Sequence, residues 1–190
     1  VFNCMKELES QGYDVTYLQP DSLGNISLAD LKAALRKDTI LVSIMMVNNE
    51  TGAIYDISSA FKTIKSASPE AVCHTDAVQG YMKRKFSVAT LGADLVTVSA
   101  HKIHGPKGIG ALWISPAILK SKKIVPWLLG GGQEFGIRSG TENTIGIAGF
   151  GGAATQCFET LDRDIESMTS LRDYIADRLP DEVEINLPRG

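Results

Sequence analysis

The chain has little cysteine: Cys4, Cys73 and Cys157 are the only three among 190 residues. An odd number at wide spacing argues against a disulfide framework. It points to a reducing compartment, the cytoplasm or, in a eukaryote, an organelle. Positive charge is not in excess either. The formal net charge is −3, with the signs well mixed. Without a basic stripe, nucleic acid is not an expected partner. No apolar stretch approaches the roughly 18 residues a membrane span needs, so no membrane partner is expected. Internal repeats, low-complexity tracts and an interdomain linker are also lacking. The opening "VFNCMKELESQGYDV" reads as an amphipathic helix and not as a signal peptide. What remains is ordinary globular composition, 44% hydrophobic and 22% charged, at a length that suits one domain with a useful core.

Periodicity assigns the elements. Val1 to Gln11 has helical spacing, and Gly12 suits a helix stop. "DVTYLQ" reads as a strand. Ser27 and Asp30 suit a helix start, with Leu28, Leu31 and Leu35 as its apolar stripe. Thr39 to Val47, "TILVSIMMV", is a continuous apolar run of the kind seen in parallel strands buried on both faces. Asp56 can cap a helix over Ile57 to Ser66 with Phe61 and Ile64 inward. "EAVCHTDA", "DLVTVSA" and "IGALWIS" read as further strands. A helix is expected from about Glu142, with Leu161, Ile165, Met168, Leu171, Ile175 and Leu179 along one face. Within it, "GFGG" at 149 to 152 predicts close packing or a kink. "EVEINLPRG" reads as a last strand, and both ends of the chain read as cut. Strands alternating with helices predict an α/β fold: a mainly parallel central sheet flanked by helices.

Three of the predicted strands end in polar clusters: "NNETG", "TDAVQG" and "AHKIHGPKG". In a parallel sheet these ends converge where ligands bind. Asn49, Asp76, Gln79, Ser99, His101 and Lys102 then share one sheet edge. Any one such ending is an ordinary turn; three in one sheet are harder to dismiss. A desolvated lysine can become a neutral amine that forms Schiff bases. A carboxylate can keep a ring nitrogen protonated. Serine and histidine can hold a phosphate, and Asn and Gln can bond a phenolic oxygen. These are the parts a pyridoxal 5'-phosphate site requires.

Four motifs, "VNNETG", "HTDAVQG", "VSAHKIHGPKGIG" and "RSGTEN", occur in this order. With them the chain resembles the cysteine desulfurases of the class V aminotransferase superfamily, in the nitrogen-fixation and housekeeping group. The resemblance implies the large domain of a fold-type I transferase over residues 1–160. Residues 161–190 would lead, by a long helix and a strand, towards a C-terminal small domain. It implies that Lys102 carries the cofactor and that Asp76 pairs with the ring nitrogen. Gln79 and Asn49 would lie near the phenolic oxygen, and Ser99 and His101 on the phosphate. Thr141 would reach the phosphate of a partner subunit, in a homodimer. The implied reaction takes sulfur from L-cysteine, releases L-alanine and leaves a protein-bound persulfide for sulfur-acceptor or scaffold proteins of iron–sulfur assembly. The family's N-terminal phosphate loop, stacking histidine, substrate-binding arginine and persulfide cysteine have no counterpart in these 190 residues, so the segment alone is expected to be inactive.

Simpler readings stand beside these. Cys4, Cys73 and Cys157 suit inert packing. His74 suits the core or a supporting role behind the site. Arg138 suits a site-facing cation and a salt-bridge partner equally well. His101, His104 and the Cys73–His74 pair fit no tetrahedral zinc spacing, so no metal site is assigned. Selenocysteine lyase, kynureninase-like and aminotransferase activities remain open, as does a non-catalytic dimerising scaffold.

Overall fold

The computed structural model describes residues 2–180 and 182–185. Its centre is a four-stranded sheet in the order β1 (Leu41–Met45), β2 (Val72–Asp76), β3 (Leu95–Ser99), β4 (Gly110–Ile114). The first three strands are parallel and β4 runs antiparallel to β3. Helix α1 (Phe2–Ser10) and helix α2 (Leu28–Ala34) precede β1. Helices α3 (Ile57–Ala67) and α4 (Val88–Leu91) make the two crossovers between the parallel strands. Helix α5 (Pro116–Ser121) follows β4, and the 33-residue α6 (Thr144–Ala176) follows a long irregular stretch.

Short-range chemistry sets the helix starts. Ser27, Asp56, Ser87, Ser115 and Asn143 each accept a hydrogen bond from a backbone N–H of the first turn, satisfying donors the helix cannot. Asp56 accepts from the Ser59 N–H at 3.0 Å and, with its other oxygen, from the Ser59 hydroxyl at 2.6 Å. At the other end of α4, Gly92 takes φ +67 and turns the chain into β3.

The core lies on one face of the sheet. Ile57, Phe61 and Ile64 of α3 and Leu31 of α2 pack with Cys73 and Val96. Val42, Ile44, Val98 and Trp113 close against them. The alternate positions form the other face, and Ser43, His74, Asp76, Thr97 and Ser99 are half-buried there. The expectation of full burial on both faces is thus corrected: the positions of this second face are half-buried. Two expected strands are also corrected. Residues 14–19 join no ladder; Tyr17 instead stacks on Phe2 of α1, centroids 5.1 Å apart, and donates to Glu9 at 3.0 Å. Leu18 turns onto the core. Residues 182–185 form no strand, and the remainder of that expected strand, with Val1, lies outside the described residues.

The stripe of α6 is present but mostly uncovered. Leu161 is buried, while Met168, Leu171 and Ile175 are exposed and Leu179 lies beyond the helix end. Leu28 of α2 is exposed too. The glycines of α6 do not break it. A Cβ on Gly149 would sit 2.6 Å from the Pro106 ring, so this glycine is a close-packing position and not a kink. The stretch before α6 exposes Val125, Trp127, Leu129 and Phe135.

Candidate active site at the carboxyl edge of the sheet

Parallel register brings the site residues to one edge. Met45 pairs with Asp76 and Asp76 with Thr97, so the three parallel strands end side by side. The ladder continues past the strands: the Met46 N–H donates to the Asp76 carbonyl at 2.7 Å, and the Ala77 N–H to the Thr97 carbonyl at 2.9 Å. Ser99 sits two residues beyond Thr97 at the same edge, opposite Gly110 of β4.

Each strand end then turns in its own way. After β1, the Asn48 side chain accepts from the Glu50 and Thr51 N–H groups at 2.8 and 3.0 Å. Asn49 lies exposed in that turn, its amide donating to the Glu50 carboxylate. After β2, Asp76 Oδ1 accepts from the Val78 N–H at 3.0 Å. Gln79 follows in a run of turns through Arg84, half-buried like Asp76. After β3 comes a tight 3₁₀ turn, Ala100–Ile103. It closes on His104, a non-glycine residue at φ +65, and the Gly105 N–H returns to the Ala100 carbonyl at 3.0 Å. Ser99 Oγ and His101 Nδ1 lie 2.7 Å apart. Buried Ala100 and Ile103 anchor the turn, which leaves His101 and Lys102 exposed.

The structure therefore brings Asp76, Gln79, Ser99, His101 and Lys102 to one rim, while Asn49 lies in the turn after β1 with its described hydrogen bond to Glu50. Thr141 is exposed in the segment before α6, with no described hydrogen bond to the other site residues. Arg138 is exposed and makes no ion pair among the described residues; its Nη1 is 3.5 Å from the Gly140 carbonyl. Cys73 is packed as expected, and burial pushes its thiol up to about 11, so it is a poor nucleophile. Cys157 is half-buried against the Ile103 carbonyl. Cys4 is exposed, a correction to the expected packing role: it lies on α1, which buries no residue.

The supporting role open to His74 from the sequence gains partners that the sequence did not name: a polar track runs behind Asp76. His74 Nδ1 is 2.7 Å from the Ser43 hydroxyl and its Nε2 is 3.3 Å from the Thr97 hydroxyl. Burial lowers the His74 pKa, and the Asp76 charge opposes that shift. The period-2 rule puts His74 on the face of Asp76, so the spacing HxD was the available signal. Lys83 was missed. It lies four residues after Gln79 and donates to its Oε1 at 3.1 Å. The donor set suits an anionic, aromatic-nitrogen cofactor: one carboxylate with Oδ2 clear of protein bonds among the described residues, a linked serine and histidine, and a primary amine.

Comparison with known proteins gives the same direction. The profile described as aminotransferase class-V matches residues 1–188. The chain is 45% identical over 186 residues to the cysteine desulfurase IscS of Dictyoglomus turgidum, covering 96% of this chain and 46% of that protein. It is 43% identical over 179 residues to a cysteine desulfurase of a Nostoc species, covering 94% of the chain and 43% of that protein. Among solved structures, a NifS-like protein superposes with TM-score 0.88 at 39% identity, over 93% of this chain and 47% of that one. The chain thus spans about half the length of the curated relatives it matches.

Proposed function

From the premise that this chain belongs to the class-V aminotransferase family, we propose that it carries the lysine-bearing half of a pyridoxal-phosphate site in a cysteine desulfurase. The observation that carries the reading is the convergence of Asp76, Gln79, Ser99, His101 and Lys102 at the ends of two neighbouring parallel strands, β2 and β3. The names of the relatives support the activity. So does a structure titled as SspA in complex with cysteine, at TM-score 0.77 and 40% identity.

Each residue then has a task. Ser99 and His101, already paired at 2.7 Å, bind the phosphate. Asp76 keeps Oδ1 on the Val78 N–H and uses its other oxygen to hold a proton on the ring nitrogen. Gln79 and Asn49 donate to the phenolic oxygen. Lys102 is the covalent anchor and later a proton carrier, which requires its amine to be neutral. Bound pyridoxal phosphate supplies the electron sink. The substrate is L-cysteine, whose C–S bond is broken. The carbon skeleton leaves as L-alanine, and the sulfur stays as a protein persulfide for acceptor or scaffold proteins of iron–sulfur assembly. None of Cys4, Cys73 and Cys157 is assigned to that sulfur. Residues 1–160 belong to the large domain and 161–190 lead out of it. The enzyme works as a cytoplasmic homodimer. Exposed Trp127, Leu129, Phe135 and Ile145 offer apolar surface to the second copy, and Thr141 of that copy completes the phosphate site.

The test is borohydride reduction of the cofactor-loaded full-length protein, with alanine and sulfide measured from L-cysteine in the presence of an added dithiol, which reduces the persulfide and releases its sulfur as sulfide. Equimolar products, with a reduced linkage that disappears in Lys102→Ala, are expected. The 190 residues alone are expected to release no sulfide. A reducible linkage that persists in Lys102→Ala overturns the assignment.

A further inference from the structure

We infer that Lys83 is a positioning residue of this site: its ammonium holds the oxygen end of the Gln79 carboxamide and so presents the nitrogen end, as a donor, to an oxyanion of the cofactor. The inference rests on the reading of Gln79 as a cofactor contact. It adds a residue that the reading does not contain.

The geometry is local and well supported. Lys83 Nζ lies 3.1 Å from Gln79 Oε1, and both side chains are half-buried. An ammonium has three donors and no acceptor, so only the carboxamide oxygen can face it. The other end of the amide is then donor-only. Without such a partner a carboxamide turns over at little cost, and half of its orientations would aim an oxygen lone pair at an anion. Lys83 removes that ambiguity.

The turn that carries Lys83 is braced from outside. Tyr81 meets Phe150 of α6 edge-on at 6.1 Å between centroids. Lys85 pairs with Asp162 of the same helix at 2.6 Å. Between these anchors, Met82 takes φ +54, a region that L residues other than Asn and Asp seldom enter. The backbone accepts this conformation and so delivers the next side chain, Lys83, back onto Gln79. The charged and titratable groups that reach Lys83 are Lys102 from the turn after β3 and Cys157 from α6. Burial, and then the Lys102 charge, hold its pKa below the usual lysine range, with Cys157 opposing.

The experiment uses the full-length protein loaded with pyridoxal phosphate. It reads the pH midpoint at which the visible absorbance of the bound cofactor changes form. A donor on the phenolic oxygen favours its anion, so losing the donor moves the midpoint up. Lys83→Met is expected to raise it by about one pH unit, the scale of one hydrogen bond to a charged group. Lys83→Arg, again donor-only, is expected to hold it near the wild-type value. In a Gln79→Ala background, Lys83→Met is expected to add little, because the path through the carboxamide is gone. Lys83→Gln replaces Lys83→Met, read in the same way, if the methionine variant does not fold. An unchanged midpoint in the neutral variant overturns the inference. So does a shift of full size in the Gln79→Ala background, which would make Lys83 a through-space charge only. Wild-type protein without a reducible linkage at Lys102 overturns the reading of the site itself, and the role of Lys83 falls with it.

Discussion

Replacing Gly149 by alanine sets two effects of known sign against each other. Inside a helix, alanine is favoured over glycine by about 1 kcal/mol. At Gly152, on the same helix, an added Cβ meets nothing within 4 Å, so Gly152→Ala should keep the whole gain. At Gly149 the added Cβ meets Pro106 Cγ at 2.6 Å and Cδ at 3.1 Å. A proline ring cannot swing aside, so the helix or the turn below must shift. Overpacking of this kind costs about 1–3 kcal/mol. Subtracting the propensity gain leaves Gly149→Ala destabilising by roughly 0–2 kcal/mol. The two variants should therefore differ by about 1–3 kcal/mol although their chemistry is identical. The assay is thermal unfolding followed by circular dichroism. Gly152→Ala should raise Tm by roughly 2–4 °C, and Gly149→Ala should lower it or leave it unchanged. Pro106 follows the turn that presents Lys102, so only Gly149→Ala should also weaken cofactor retention. An equal rise in Tm for both variants would refute the reasoning, because it would mean that α6 does not seat on that turn.

Three further outcomes follow from other parts of the structure. Asp76→Asn should retain the cofactor but slow turnover by orders of magnitude, since an amide does not hold the ring nitrogen protonated; normal turnover would remove Asp76 from the chemistry. His74 has its pKa lowered by burial, so the unfolded chain binds a proton that the folded chain refuses. The stability His74 contributes is present above the unfolded value, near pH 6.5, and falls as pH drops below it; urea midpoints between about pH 7 and 5 should slope less in His74→Gln. Asp94 accepts from Lys65 Nζ at 2.7 Å and from the Cys73 N–H at 2.9 Å, so Asp94→Ala strands the Cys73 N–H and leaves the Lys65 ammonium only the Ala71 carbonyl, and should cost about 2 kcal/mol in urea unfolding.

How much of this was legible in the sequence depended on where each partner lies along the chain. The caps at Ser27 and Asp56 were readable because donor and acceptor sit three residues apart. The inward face of α3 was readable because Phe61 and Ile64 repeat at the helical period. Helices α4 and α5 went unread although Ser87 and Ser115 cap them; four and six residues are too few to show a period. "DVTYLQ" failed for the opposite reason. Its alternation is real, but Tyr17 uses it to reach α1 and not to join a sheet. Alternation reports a two-sided environment, and only a neighbouring strand makes that environment a ladder.

The same rule divides the site. Asp76, Ser99 and Lys102 were legible because Asp76 and Ser99 end their strands and Lys102 follows β3 within three residues, and the parallel register aligns those strands without further instruction. Behind them His74 was legible as a core or supporting residue, but its partners were not. His74 meets Ser43 and Thr97 across sequence separations of 31 and 23 residues, and nothing in the local spelling announces a cross-strand partner. Lys83 is the instructive exception, only four residues from Gln79. Its pairing was hidden because a lysine after "GYM" reads as a solvated turn charge. What turns it inward is Met82 in a left-handed conformation, held by contacts with a helix more than sixty residues further on. The groups proposed to meet the cofactor are thus spelled at the strand ends, while the partners that the structure gives them, Lys83 on Gln79 and Ser43 and Thr97 on His74, depend on packing. An active-site reading made from motifs alone will name the first set and leave out the second.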